Sequence, residues 1–135
     1  MLLFFKIYCV AVPIFLLIDL LWLGVVAKGL YQRQMGHLML STPNWPVAFL
    51  FYLLFVVGLV LFAILPAIKG DSFSYALLYG ALFGFFTYMT FDLTNLAVLK
   101  DYPWTIAVID IIWGVTLSAS VSVATFFAAR YFFSL

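Results

Sequence analysis

Charged positions punctuate this chain at long intervals. Between Lys6 and Lys28 the only charge is Asp19, and between Trp45 and Lys69 there is none. Between Asp71 and Lys100 the only charge is Asp92, and between Asp101 and Arg130 it is Asp110. Each apolar run reaches the roughly 20 residues that a helix needs to cross about 30 Å of hydrocarbon. The pattern predicts four transmembrane helices, at 5–27, 46–68, 74–99 and 104–131. The first apolar run is longer than a secretory signal core and carries Asp19 and Trp22, so a retained helix is expected.

The connections are short. "KGD" joins the second and third runs, and "KDYP" the third and fourth, where Pro103 makes a sharp stop. Only the first loop has length. There Tyr31, Met35 and Leu38 recur at helical spacing among Lys28, Gln32, Arg33 and Gln34, which predicts a short interfacial helix over 29–40. His37 lies in this segment with no partner at ligand spacing and reads as a surface residue.

Composition narrows the class further. Of 135 residues, 68% are hydrophobic and 8% charged, too few charges for the polar shell of a soluble domain. The expected fold is all-α, a polytopic four-transmembrane-helix bundle forming a single domain over 1–135. The lipid bilayer is its first partner. A net charge of +1 gives no footprint for nucleic acid. The lone Cys9 excludes an internal disulfide and a dithiol redox centre, and is expected as a small buried hydrophobe. Lys28, Arg33 and Lys100 on one side balance Lys6, Lys69 and Arg130 on the other, so the positive-inside rule does not orient the chain. Trp45 and Trp104 both fall at the end that carries the first and third loops, here side A, and read as interfacial anchors.

The intramembrane acids carry the candidate chemistry. Asp19 lies nine residues before Lys28, Asp92 eight before Lys100, and Asp110 seven after Pro103. At 1.5 Å per residue all three sit roughly 9–13 Å below side A. Ala76, Gly80 and Gly84 form a small-residue stripe leading to Asp92 and Asn95. Asp110, Gly114, Leu117, Val121 and Thr125 share a face, with Ser118 at its edge; Phe15, Asp19, Trp22 and Val26 share another. The acids are therefore expected to face the bundle interior. An ionised aspartate at a helix centre costs about 2.5–3.5 kcal/mol on insertion scales, and no basic residue shares this depth. Three answers are open: the acids are largely protonated, they hydrogen-bond to Asn95, Thr90, Thr94, Trp22 and one another in a wet pocket, or they hold a cation. Helix-packing glue is the bland alternative, although neutral amides would serve it at lower cost. Trp22 and Trp113 lie one turn from Asp19 and Asp110, a spacing that suits a cation cage as well as plain packing.

"IDLLWLG" at Ile18 and "IDIIWG" at Ile109 look like a repeat. An inverted repeat would place one of the two acids near the opposite side, so duplication is not expected.

These residues resemble the bacterial membrane family known as domain of unknown function 2177. The likeness runs through Asp19-x-x-Trp22, Tyr31, Phe51-Tyr52, Gly58, Pro66 and Gly80-x-x-x-Gly84, and is strongest in "YMTFDLTNLAVLKDYP" and "IDIIWG". This chain has Phe91 where the family often has tyrosine. The resemblance implies a multi-pass protein of the bacterial inner membrane and no assigned activity; its members accompany lipid-modifying enzymes of the cyclopropane fatty-acid type. The expected function is binding or transport of a proton, a metal ion or a small cation by Asp19, Trp22, Asp92, Asn95, Asp110 and Trp113, in a chain small enough to work as a homo-oligomer. The alternative is a lipid-modifying enzyme or its subunit, with a lipid ligand and one aspartate as acid or base. No cofactor motif and no nucleophile–base pair is legible.

Overall fold

The computed structural model describes residues 1–135, the side chain of Val26 lying outside the described residues. The chain is helical almost throughout, with four spans long and apolar enough to cross a membrane: Leu2–Val25, Trp45–Lys69, Phe73–Val98 and Trp104–Phe133. We number the α-helices in chain order. Helix α1 is Leu2–Leu21, α2 Lys28–Met35, α3 Trp45–Leu59, α4 Leu65–Lys69, α5 Phe73–Val98 and α6 Trp104–Phe133. The first span is α1 plus a π turn, Trp22–Val26; the second is α3, a π turn over Val60–Ile64, and α4.

Local chemistry sets the helix ends. The Asn44 side chain accepts from the Val47 amide at 3.3 Å, with proline in the first turn of α3. Ser72 caps α5 in the same way, accepting from the Tyr75 amide at 3.1 Å. Asp71 and Asp101 take positive φ values of 49° and 63°, which reverse the chain in the two tight connections. The π turn in the second span has a local cause. Pro66 offers no N–H to the carbonyl of Phe62 and its ring crowds that group, so the helix widens just before it. The apolar pattern alone shows neither π turn.

Close packing is densest between α5 and α6. Gly80 lies against Ser118 and Ser122, Gly84 against the Gly114 carbonyl and Ser118, and Gly114 against the ring of Tyr88. These contacts bring the two backbones together in a medium that gives no hydrophobic drive for helix association. Helix α6 also packs on α1, so it is the centre of the bundle. The core joins Ile7, Ala11 and Phe15 of the first span to Phe55, Leu59 and Ile64 of the second and to Leu117 and Val121 of α6. The outer faces are apolar and open, with Leu17, Leu54 and Phe62 each more than 60% exposed, as a lipid-facing surface requires. Cys9 is exposed on that surface rather than buried, because Ile7 and Ala11 take the inward positions on either side of it.

The second span is unevenly held. The backbones of its π turn and α4 pack on α5, whereas α3 meets α5 through aromatic side chains, Phe55 on Phe83 and Tyr88 and Gly58 against Phe83. The backbones of spans two and three therefore stand further apart toward side A, bridged by these rings, where the long first loop folds across the bundle end.

The α5–α6 contact gives a direct test. A methyl at Gly84 would collide with the Gly114 carbonyl, whereas one at Gly24 meets open space. Gly84→Ala is expected to lower unfolding stability in micelles by about 1–3 kcal/mol, and Gly24→Ala to leave it nearly unchanged. Equal effects would remove the close approach as the main packing contact.

Candidate functional site

Each intramembrane acid meets an aromatic donor from another part of the chain. Asp19, buried in the last turn of α1, accepts a hydrogen bond from Trp113 Nε1 of α6 at 3.2 Å. Trp22, one turn further on, stacks on Trp113 with ring centroids 4.4 Å apart and planes 7° from parallel. Its place at the start of the π turn follows directly from the widening after Leu21. Tyr52 of α3 also reaches the Asp19 carboxyl.

Asp110, near the side-A end of α6, accepts from the Tyr31 hydroxyl at 2.9 Å. Tyr31 belongs to α2, so the helix over the bundle end reaches down into it. Gln34, one turn later, is tied to Thr105 at the start of α6 by the threonine hydroxyl. Tyr31 and Gln34 fix the lid formed by the first loop.

Asp92 is fully buried on α5. Its Oδ1 accepts from the Tyr102 hydroxyl at 2.8 Å, whereas Oδ2 has no protein donor. The Asp110 carboxyl is a neighbour. Two carboxyls can hydrogen-bond only with a proton between them. Asn95, one turn beyond Asp92, lies beside the Tyr102 hydroxyl.

Asp19 and Asp110 open into one pocket of about 350 Å³. Its wall includes Trp22, Trp113, Tyr31, Tyr52 and Tyr88, with Phe51, Phe55 and Phe91 between the parted second and third spans. Asp92 and Asn95 do not line it; Asp92 neighbours Asp110, and both Asp92 and Asn95 are next to Tyr102. A larger, shallow groove runs along Phe62, Phe83 and Phe86, but it carries no carboxyl group and meets the pocket only at Thr87.

Four of the six sequence-derived residues thus share a cavity, whereas Asp92 and Asn95 lie outside its lining, each next to Tyr102. The hydrogen-bond partners differ from those expected. Thr90 donates to its own helix at Phe86, Thr94 is exposed, and tyrosines and Trp113 take their place. Short threonine side chains satisfy themselves on the preceding turn, whereas a phenol or indole can cross between helices. Tyr88 was readable as four residues before Asp92 on the same face. The reach of Tyr31 and Tyr102 depends on how the two loops fold back, which periodicity does not carry.

Charge is uncompensated in this region. Among the described residues the one ion pair is Arg130–Asp71, at the opposite end. No group of three or more His, Cys, Asp or Glu suited to a metal ion occurs among the described residues.

The loop phenols add a pH dependence. Burial, and then the neighbouring Asp110 carboxylate, holds Tyr31 protonated well beyond the ordinary phenol range. Burial and the hydrogen bond to Asp92 do the same for Tyr102. The folded state then binds these protons more tightly than the unfolded chain. Their stabilisation is complete below about pH 10 and is lost as the pH rises above it. Above about pH 10 these two phenols should therefore lower the unfolding temperature in nanodiscs, and Tyr31→Phe and Tyr102→Phe should each weaken that fall. Tyr102→Phe leaves Asp92 Oδ1 unpaired and should cost about 1–3 kcal/mol at neutral pH. A variant as stable as the wild type would remove Tyr102 as a structural partner of Asp92.

Residues 4–127 match the model of the family described as predicted membrane protein (DUF2177). No curated protein and no solved structure matches the chain. With the match spanning nearly all four membrane helices, the chain belongs to that family of multi-pass membrane proteins of unknown function.

Proposed function

We propose that the side-A pocket binds a small organic cation, a protonated or quaternary amine, and that the protein carries it across a bacterial inner membrane. One observation supports this above the rest: two carboxyl groups and a stacked tryptophan pair converge on one cavity whose described lining holds no basic side chain. Two acids near each other in hydrocarbon gain most from an opposite charge between them, since Coulomb energy grows as the dielectric falls. Aromatic faces add about 0.5–2 kcal/mol each for a desolvated cation and do not compete with the carboxylates. A pocket of about 350 Å³ is at the small end for ligand sites, which favours an amine of a few heavy atoms. The parted second and third spans give the pocket an opening between Phe51 and Phe91.

The lipid-enzyme alternative has less support. The lining holds no Ser, Cys, His or Lys, and the Thr87 hydroxyl is used on the Phe83 carbonyl of its own helix at 2.7 Å.

Titration of tetramethylammonium and short primary amines into the protein in nanodiscs tests the reading. Saturable binding is expected, weakened at least about tenfold by Asp19→Asn or Trp22→Ala, a loss of about 1.4 kcal/mol. Absence of saturable binding, or the same affinity in both variants, would rule the reading out.

A further inference from the structure

Asp92 is the buried acid that the pocket does not use, and its geometry calls for a proton. Its side chain is inaccessible, and Oδ2 has no donor from the protein. Tyr102 gives its hydroxyl hydrogen to Oδ1, and Asn95 is a further neighbour of that hydroxyl. The remaining neighbour is the Asp110 carboxyl, an acceptor already engaged by Tyr31. A bare carboxylate oxygen facing another carboxyl has no stabilising contact. A protonated Asp92 Oδ2 donating to Asp110 satisfies both groups.

We propose that Asp92 stores a proton on Oδ2, shared with Asp110, and that binding of a cation in the pocket releases it, so that the protein exchanges one proton for one cation. The proposal rests on the cation reading of the pocket. Asp110 connects the two halves: it lines the pocket with Asp19 and neighbours Asp92. A positive charge beside Asp110 strengthens the ionised form of both acids. One positive charge enters and one leaves, so the site keeps its net charge in a medium where an unbalanced charge is expensive.

The groups facing this unit come from every element around it. Asp19 and Tyr88 bear on Asp110 from spans one and three, Tyr31 from α2, and Tyr102 from the loop above Asp92. Tyr52 acts through Asp19. None of these is basic, so an arriving cation meets no built-in competitor among them. Tyr102 is in the Lys100–Pro103 connection, and its hydroxyl fixes the Oδ1 side of the Asp92 carboxyl, leaving Oδ2 to carry the proton.

Two measurements on the full chain in nanodiscs test this. The first needs no ligand: infrared spectra at neutral pH should show a protonated-carboxyl C=O band in the wild type that shifts in deuterated water and is missing in Asp92→Asn. The deuterium shift in the wild type stands even if the variant folds poorly. Absence of such a band overturns the stored proton. The second is calorimetric titration of tetramethylammonium in buffers of different ionisation enthalpy. About one proton should be released per cation, with affinity rising about tenfold per pH unit near neutrality, and this pH dependence should flatten in Asp92→Asn. Cation binding with no proton release overturns the exchange and leaves the binding reading intact. A silent calorimeter with the carboxyl band present overturns the cation reading, and the exchange with it.

Discussion

A carboxyl group carried into hydrocarbon must find its polar partners inside the protein, and this constraint organises the side-A half of the bundle. Asp19, Asp92 and Asp110 each obtain a hydrogen bond from a donor on a different element: Trp113, Tyr102 and Tyr31. Those bonds join span one to span four, the last loop to span three, and the first loop to span four. Ordinary apolar packing would suffice to hold helices at side B, where the second span is close to its neighbours. At side A the acids replace that packing. The second span can therefore stand away from the third and leave a cavity between aromatic walls.

The rigid half and the open half have separate physical causes. Gly80, Gly84 and Gly114 let α5 and α6 approach until side chains of one touch the backbone of the other. That contact places Asp92 and Asp110 on adjacent, closely packed helices as neighbours. The first and second spans are joined more loosely, through Phe15, Tyr52 and Phe55 and the Tyr8 hydroxyl on the Leu53 carbonyl. Pro66 and the π turn before it mark where the second span can bend. The geometry suits a site that is fixed on one wall and adjustable on the other.

Much of this was legible in the chain. Charge spacing gives four spans, and a count of residues from the helix ends puts three acids at one depth. The small-residue stripe from Ala76 to Gly84 identifies the face on which α5 meets α6. The division of the acids was not legible. Counting places Asp92 and Asp110 at one level, but only the packed bundle shows that Asp110 lines the pocket while Asp92 and Asn95 lie outside its lining. Tyrosine partners were hidden for a related reason. A phenol reaches across helices from positions that carry no periodic signature, and Tyr31 and Tyr102 depend on loops whose path is set by tertiary contacts. The π turn at Trp22 belongs to the same class, since no proline marks it.

The central claim is that Asp92 and Asp110 act as one unit rather than as two independent buried acids. A double-mutant cycle of Asp92→Asn and Asp110→Asn, read as unfolding free energy in nanodiscs at neutral pH, measures it most directly. The account predicts a coupling above about 1 kcal/mol between the two substitutions, because either one alters the hydrogen bond that the other group makes. Effects that add to within about 0.5 kcal/mol would show two separate acids, and would contradict it.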